Sequence, residues 1–370
     1  MAVNDLPPRA RLPLLALGFV ALLAGVFAGL ARLGVAVDAK AASLAAFHGP
    51  LMVAGFFGVV IALERAVAAA KLWAYAAPLA CGLAGIALFA GEPAAAAGLA
   101  TLGAAVLTFA SLRFVAMQPE IHTMTIAAGA VALTAGNLVW YATGRPSAAV
   151  PAWAAFLVLT IAGERLELSR FLPRSTPVRV SFVAIALALG AGAVVASDPL
   201  GARAFGAALL ALAAWLALND LARRTVRDSG LTRFTAVCLL SGYVWLAIAG
   251  ATIAASGLEP GTPAYDAALH ALFLGFVFAM VFGHAAIIFS AVLRVKVPYA
   301  PVFYLPLALL HASVAWRLAG DAVGSMQVLR AGAIANGIAL AAFIVTMIAA
   351  VVRGRRGATR PPAAKTPLRR

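Results

Sequence analysis

The stretch HALFLGFVFAMVFGHAAIIFSAVLRVK, His270 to Lys296, decides how the rest of the chain reads. It is a long apolar run with a histidine at its start, a second at position 284, and a basic pair, Arg294 and Lys296, at its close. A run of this length with so few charges spans a lipid bilayer as a helix. An imidazole inside hydrocarbon has no water to bond, so each of the two needs a protein partner or a ligand role. His270 and His284 are fourteen residues apart. On an ideal helix they lie about 40° apart around the axis and roughly 21 Å apart along it. One helix would then offer an imidazole near each membrane surface, on nearly one side, which suits the delivery of axial ligands to haem. The plainer alternative, that either histidine only hydrogen-bonds a neighbouring helix, stands beside it.

Composition sets the same class for the whole chain. Of 370 residues 64% are hydrophobic and 11% charged, and the mean hydropathy is +0.99. A soluble domain is close to half apolar and a quarter charged, so the composition describes an all-α polytopic membrane protein. The formal charge of +15 sits in short loops and in the C-terminal RGRRGATRPPAAKTPLRR. Charge placed that way orients a membrane protein and implies no nucleic-acid partner. Cys81 and Cys238 stand far apart in apolar runs, with no disulfide framework or metal spacing, and read as small core residues.

Apolar runs long enough to span lie at about 12–31, 44–69, 73–91, 94–116, 122–143 and 148–166. A second six lie at about 179–197, 200–222, 232–256, 264–293, 299–319 and 325–352. The expectation is one integral membrane domain over 1–370 with twelve spans, a retained first helix and a basic tail at 353–370. With the N-terminus inside, the inner segments collect most of the basic residues, among them Arg65, Lys71, Arg113, Arg165, Arg174, Arg223, Arg294 and Lys296. The outer connections hold only Arg32, Lys40, Arg145, Arg203, Arg317 and Arg330. The asymmetry predicts both termini in the cytoplasm of a multi-pass membrane protein.

The five histidines then sort by depth. His48, His270 and His311 fall in the outer parts of spans 2, 10 and 11; His122 and His284 fall toward the inner side of spans 5 and 10. In AFHGPLMVAGFFGVV, His48, Met52, Gly55, Val59 and Ala62 lie along one helical stripe. A small residue one or two turns from an axial histidine, such as Gly55 or Gly275, leaves room for a flat macrocycle. It equally allows close helix packing. The pairs Glu64–Arg65 and Glu164–Arg165 stand at inner span ends. They read as a proton path or, for the arginines above all, as side chains snorkelling to the interface.

His48, Met52, Gly55 and Phe56, as HxxxMxxGF, resemble the second-span motif of the NnrS family, and HALxxGxxxxM at His270, Ala271, Leu272, Gly275 and Met280 resembles its tenth-span motif. Gly163 and Arg165 resemble the glycine–arginine pair that ends the family's sixth span. The specific part of the likeness is about thirty residues. The chain departs from the family where Pro50 takes the place of a second histidine and Ile287 that of an arginine, while His284 is an addition. The arrangement is similar, more distantly, to the core subunit of haem–copper oxidases. There, histidines on the second and tenth of twelve helices clamp a low-spin haem. The binuclear copper centre of that family needs histidines on spans 6 and 7, and this chain has none there.

The resemblance implies an inner-membrane haem protein connected with nitric oxide or with electron transfer. His48 and His270 would be axial ligands of an outer haem b, free of covalent attachment because no CxxCH is present. Met52, Gly55 and Gly275 would line it. His311 would be a nearby ligand or hydrogen-bond partner, for a copper ion or an open haem face, and His122 and His284 would be metal ligands if there is a second, inner haem. Arg317 is expected either to meet a haem propionate or to anchor the interface beside Trp316. The implied partners are the lipid bilayer, a small gaseous ligand such as nitric oxide and a redox partner. Against this stands a cofactor-free twelve-span secondary transporter, although the prolines here cluster at span ends instead of breaking helices in mid-membrane.

Overall fold

In the computed structural model residues 5–169 and 175–358 are described. Among them twelve helices are long and apolar enough to cross a bilayer, and there is no β-strand. The spans are 1 (Pro8–Arg32), 2 (Ala45–Ala69), 3 (Leu72–Ala90), 4 (Pro93–Met117), 5 (Ile121–Thr143) and 6 (Pro146–Leu168). They continue as 7 (Thr176–Val195), 8 (Pro199–Asn219), 9 (Gly230–Ser256), 10 (Pro263–Leu293), 11 (Pro301–Ala322) and 12 (Met326–Arg356). The protein is thus an all-α, multi-pass membrane protein. Residues 1–4, 170–174 and 359–370, the last including most of the segment expected as a basic tail, lie outside the described residues.

The helix ends follow from local chemistry. Proline opens spans 1, 4, 6, 8 and 10, where its missing N–H costs no hydrogen bond and its fixed φ suits the first turn. Asp198 caps span 8 by accepting from the N–H groups of Leu200 and Gly201, and Thr262 caps span 10 by accepting from Tyr265. With an even number of spans, both described chain ends lie on one face. That face also carries Arg65, Arg294 and Lys296, and we call it the basic face.

Lipid tails are as apolar as leucine, so the helices are held by close van der Waals packing and polar contacts. Gly206 and Gly250 bring the backbones of spans 8 and 9 together, and Gly320 and Gly332 do the same for spans 11 and 12. Both cysteines are free and buried at such contacts: Cys81 lies against Gly58 and Gly103, Cys238 against Gly283. Spans 2, 6 and 10 are the most enclosed, and span 7 is the most exposed. The enclosed three are also the spans that bear His48, Glu64, Glu164, Arg165, His270 and His284.

Two of these central helices are not regular. Span 2 is π-helical over Leu51–Phe57, directly after His48, and span 10 over Ala271–Phe278, directly after His270. A π turn holds an extra residue, which rotates everything downstream by about 100° relative to an unbroken α-helix. The expectation that His270 and His284 share nearly one side is therefore corrected. His270 turns toward span 2, and His284 toward spans 6 and 8.

Candidate functional site

Spans 2 and 10 meet through two aromatic pairs. The imidazoles of His48 and His270 stand with centroids 6.4 Å apart and planes 17° from parallel. Eight residues further along each helix, Phe56 and Phe278 stack at 5.8 Å and 4°.

Each imidazole is held by one nitrogen. His48 Nδ1 lies 2.7 Å from the carbonyl of Gly25 on span 1, and His270 Nδ1 lies 2.8 Å from the carbonyl of Asp266 one turn back. A carbonyl only accepts, so Nδ1 carries the proton in both rings and Nε2 keeps its lone pair. Neither Nε2 makes a hydrogen bond among the described residues. This is how a metal-ligating histidine is ordinarily prepared, with the second nitrogen fixing ring orientation and tautomer.

Glycines on span 1 make the seat for His48. A side chain at Gly29 would strike His48 Nδ1 and Cε1 at 2.8 and 2.9 Å, and one at Gly25 would strike Met52 Sδ at 2.6 Å. Gly25 and Gly29 form the GxxxG spacing that brings membrane helices into contact. That spacing was legible in the sequence, but nothing there tied it to His48. The room at Gly55 and Gly275 is used differently from the macrocycle expectation. Ala21 fills the space before Gly55, and the Trp245 indole fills the space before Gly275. Both glycines serve helix packing.

Arg317 is buried and forms a two-pronged pair with Asp266, its Nε and Nη2 at 2.9 and 3.0 Å from the two carboxylate oxygens. It is therefore not an exposed interface anchor, and its fork is already taken. Asp266 Oδ2 also stands 3.4 Å from His270 Nδ1. His270 thus has a carboxylate behind it, whereas His48 has only a carbonyl. Asp266 sits four residues before His270, a helical spacing that would have flagged it. Arg32, at the end of span 1, lies within electrostatic reach of His48 and has no bonded partner among the described residues.

The other three histidines do not join this pair. His311 accepts from Trp245 Nε1 at Nδ1, 2.8 Å, so its Nε2–H donates to Ser241 Oγ at 2.9 Å. Both nitrogens are engaged with span 9, which corrects its role as a ligand. His284 donates from Nδ1 to the Met280 carbonyl at 2.8 Å, and its Nε2 faces Arg165 Nη1 at 3.3 Å. His122 is buried on span 5, with its Nε2 lacking a partner. Among the described residues no three His, Cys, Asp or Glu side chains are placed to hold a metal ion. The residues thus do not fit a copper centre, and at the place expected for a second, inner haem the His284 Nε2 is engaged by Arg165.

Toward the basic face lies a second polar cluster. Arg165 does not snorkel: it is buried and paired with Asp220 through Nε at 2.8 Å and Nη2 at 3.2 Å. Asp220 also accepts from Tyr243 Oη at 2.8 Å and from the backbone N–H of Ala222 at 2.7 Å. Spans 6, 8, 9 and 10 are joined at this point. In the sequence Asp220 looks like an ordinary loop acid in NDLARRT, and no signal there pairs it with Arg165.

Fold and site together define a twelve-span membrane protein with a prepared pair of imidazoles between its second and tenth helices. Residues 11–352 match the family described as a domain of unknown function, DUF8744, and the chain belongs to that family. None of the curated proteins and none of the solved structures matches it.

Proposed function

We propose that this protein is a haem-binding protein of the bacterial inner membrane, with both chain ends in the cytoplasm, and that His48 and His270 are the axial ligands of one haem b. The observation that carries the reading is the paired preparation of the two rings: each Nδ1 bound to a carbonyl, each Nε2 unbonded, centroids 6.4 Å apart. The excess of Lys and Arg at one face supports the orientation.

Bound there, haem would supply reversible one-electron chemistry, and with one axial position freed it would take a small gas such as nitric oxide. The chain's own residues do the rest. Gly25 and Asp266 hold the rings in the tautomer that leaves Nε2 available. Gly29 keeps the His48 ring close to span 1. Asp266, itself neutralised by Arg317, makes His270 the more basic of the two ligands. Arg32 offers a guanidinium at the depth where propionates would emerge. The likeness to NnrS proteins in HxxxMxxGF and HALxxGxxxxM supports the same reading. It also gives it a setting in nitrogen-oxide response or electron transfer.

The test is the visible spectrum of detergent-purified protein from haem-replete cells. Expected is a red protein with a low-spin spectrum, one haem per chain and a b-type pyridine haemochrome. A folded, monodisperse and colourless protein would overturn the reading and favour the transporter.

A further inference from the structure

Spans 1, 2, 10 and 12 enclose a slot with about 630 Å³ of space free of atoms, part of it open to the outside. Its walls are hydrocarbon and aromatic throughout, with Phe56 and Phe278 toward mid-membrane, Phe343 on one side, and Leu15, Leu63 and Val292 toward the basic face. From Phe278 to Val292 is fourteen residues of span 10, a rise of about 21 Å. Half the hydrocarbon core of a bilayer is roughly 15 Å deep, so the slot is long enough for one lipid chain. Span 12 packs along span 11 and only lightly on spans 1 and 10. No polar group lines the slot to receive the ring of a quinone.

The mouth of the slot has the opposite character. Span 10 ends just past Val292, where Arg294 turns the chain in a left-handed conformation, φ 53°. Arg294 and Lys296 are exposed there. Gly354 of span 12 abuts the Lys296 carbonyl, which brings Arg353 and Arg355 to the same level, also exposed. None of these four cations has an ion-pair partner among the described residues. The one cation buried near the mouth, Arg11, is already neutralised by Asp5 at 2.7 Å and bonded to the Val292 carbonyl.

We propose that this is a seat for an anionic phospholipid of the leaflet on the basic face: one acyl chain enters the slot, and the phosphate is held by Arg294 and Lys296, with Arg353 and Arg355 adding positive charge at the same level. Basic pockets between spanning helices bind anionic headgroups in this way. The chain in the slot fixes the position, and the charges select the headgroup. The inference does not depend on haem.

The experiment is native mass spectrometry of delipidated protein titrated with phosphatidylglycerol or with phosphatidylcholine. The expected result is one phosphatidylglycerol retained per chain, and no phosphatidylcholine under the same conditions. The double variant Arg294→Gln/Lys296→Gln removes two charges and is expected to weaken retention roughly 30-fold, at about 1 kcal/mol per charge. Filling the slot with Ala285→Phe, or with the gentler Ile344→Trp at its rim, is expected to abolish it, with a monodisperse elution profile showing that the variant is folded. Equal retention of both lipids overturns the proposal. Retention of phosphatidylglycerol by both filled-slot variants overturns it too, since the attraction would then be diffuse, as does a neutral polyprenyl lipid recovered from the slot of the native protein.

Discussion

The two ends of span 10 carry the same residue type in opposite chemical states. At one end His270 is tied by Nδ1 and leaves Nε2 unbonded; at the other, His284 has Nδ1 on a carbonyl and Nε2 against the Arg165 guanidinium. Both are partly buried and both use the carbonyl one turn back. The difference lies wholly in what stands before the second nitrogen. Across from His270 is another histidine with a free nitrogen; across from His284 is a cation whose charge is balanced by Asp220. Whether an intramembrane histidine keeps a free nitrogen is thus a property of the neighbouring helix, and the residue by itself does not disclose it.

Deleting either imaginable ligand gives the largest effect on this contrast. His48→Ala and His270→Ala are each expected to remove the low-spin haem spectrum entirely with the protein still inserted, while His284→Ala leaves it as in the wild type. Loss of the spectrum in His284→Ala would break the distinction between the two ends.

The opposite end should answer in stability instead of colour. Asp220→Ala strands a buried guanidinium, and breaking such a pair costs about 3–5 kcal/mol. Denaturation in detergent is expected to show that loss, with haem content per folded chain unchanged. A spectral change without loss of stability would mean that the cluster belongs to the haem site.

A smaller effect separates the two histidine seats from each other. Asp266→Asn takes the carboxylate from behind His270, and loss of such an outer partner weakens metal binding about 10-fold or more. Competition for haem with apomyoglobin measures it. If Asp266→Asn binds haem as tightly as wild type, the carboxylate does not act through His270. Arg32→Gln is expected to shift the midpoint potential without releasing haem, and an unchanged potential would remove Arg32 as the propionate partner.

His311→Phe should change least. It removes hydrogen bonds to Trp245 and Ser241, and such contacts in membranes contribute about 1 kcal/mol. A modest drop in melting temperature with an unaltered spectrum is expected; a lost spectrum would return His311 to the ligand set.

Much of this protein was written in one dimension. Twenty-odd consecutive apolar residues must become a spanning helix, because backbone N–H and C=O groups in hydrocarbon have no other partners. The twelve spans accordingly fall where the apolar runs do, and proline marks their first turns as its missing N–H requires. His48 and His270 also stood out, since histidines are rare in such runs. What periodicity cannot contain is a change of period. The π segments after His48 and His270 are settled by packing between helices, and they turned His284 away from the face that an ideal helix assigns it. Nor does spacing tell which nitrogen is engaged: the Gly25 carbonyl, the Gly29 seat, the indole of Trp245 and the carboxylate of Asp220 come from helices distant in sequence. The composition determined that the chain lives in a membrane and where it crosses, because those are local demands of each segment on its solvent. Tertiary structure decided which polar groups are spent on one another and which remain free, because that depends on what each helix meets.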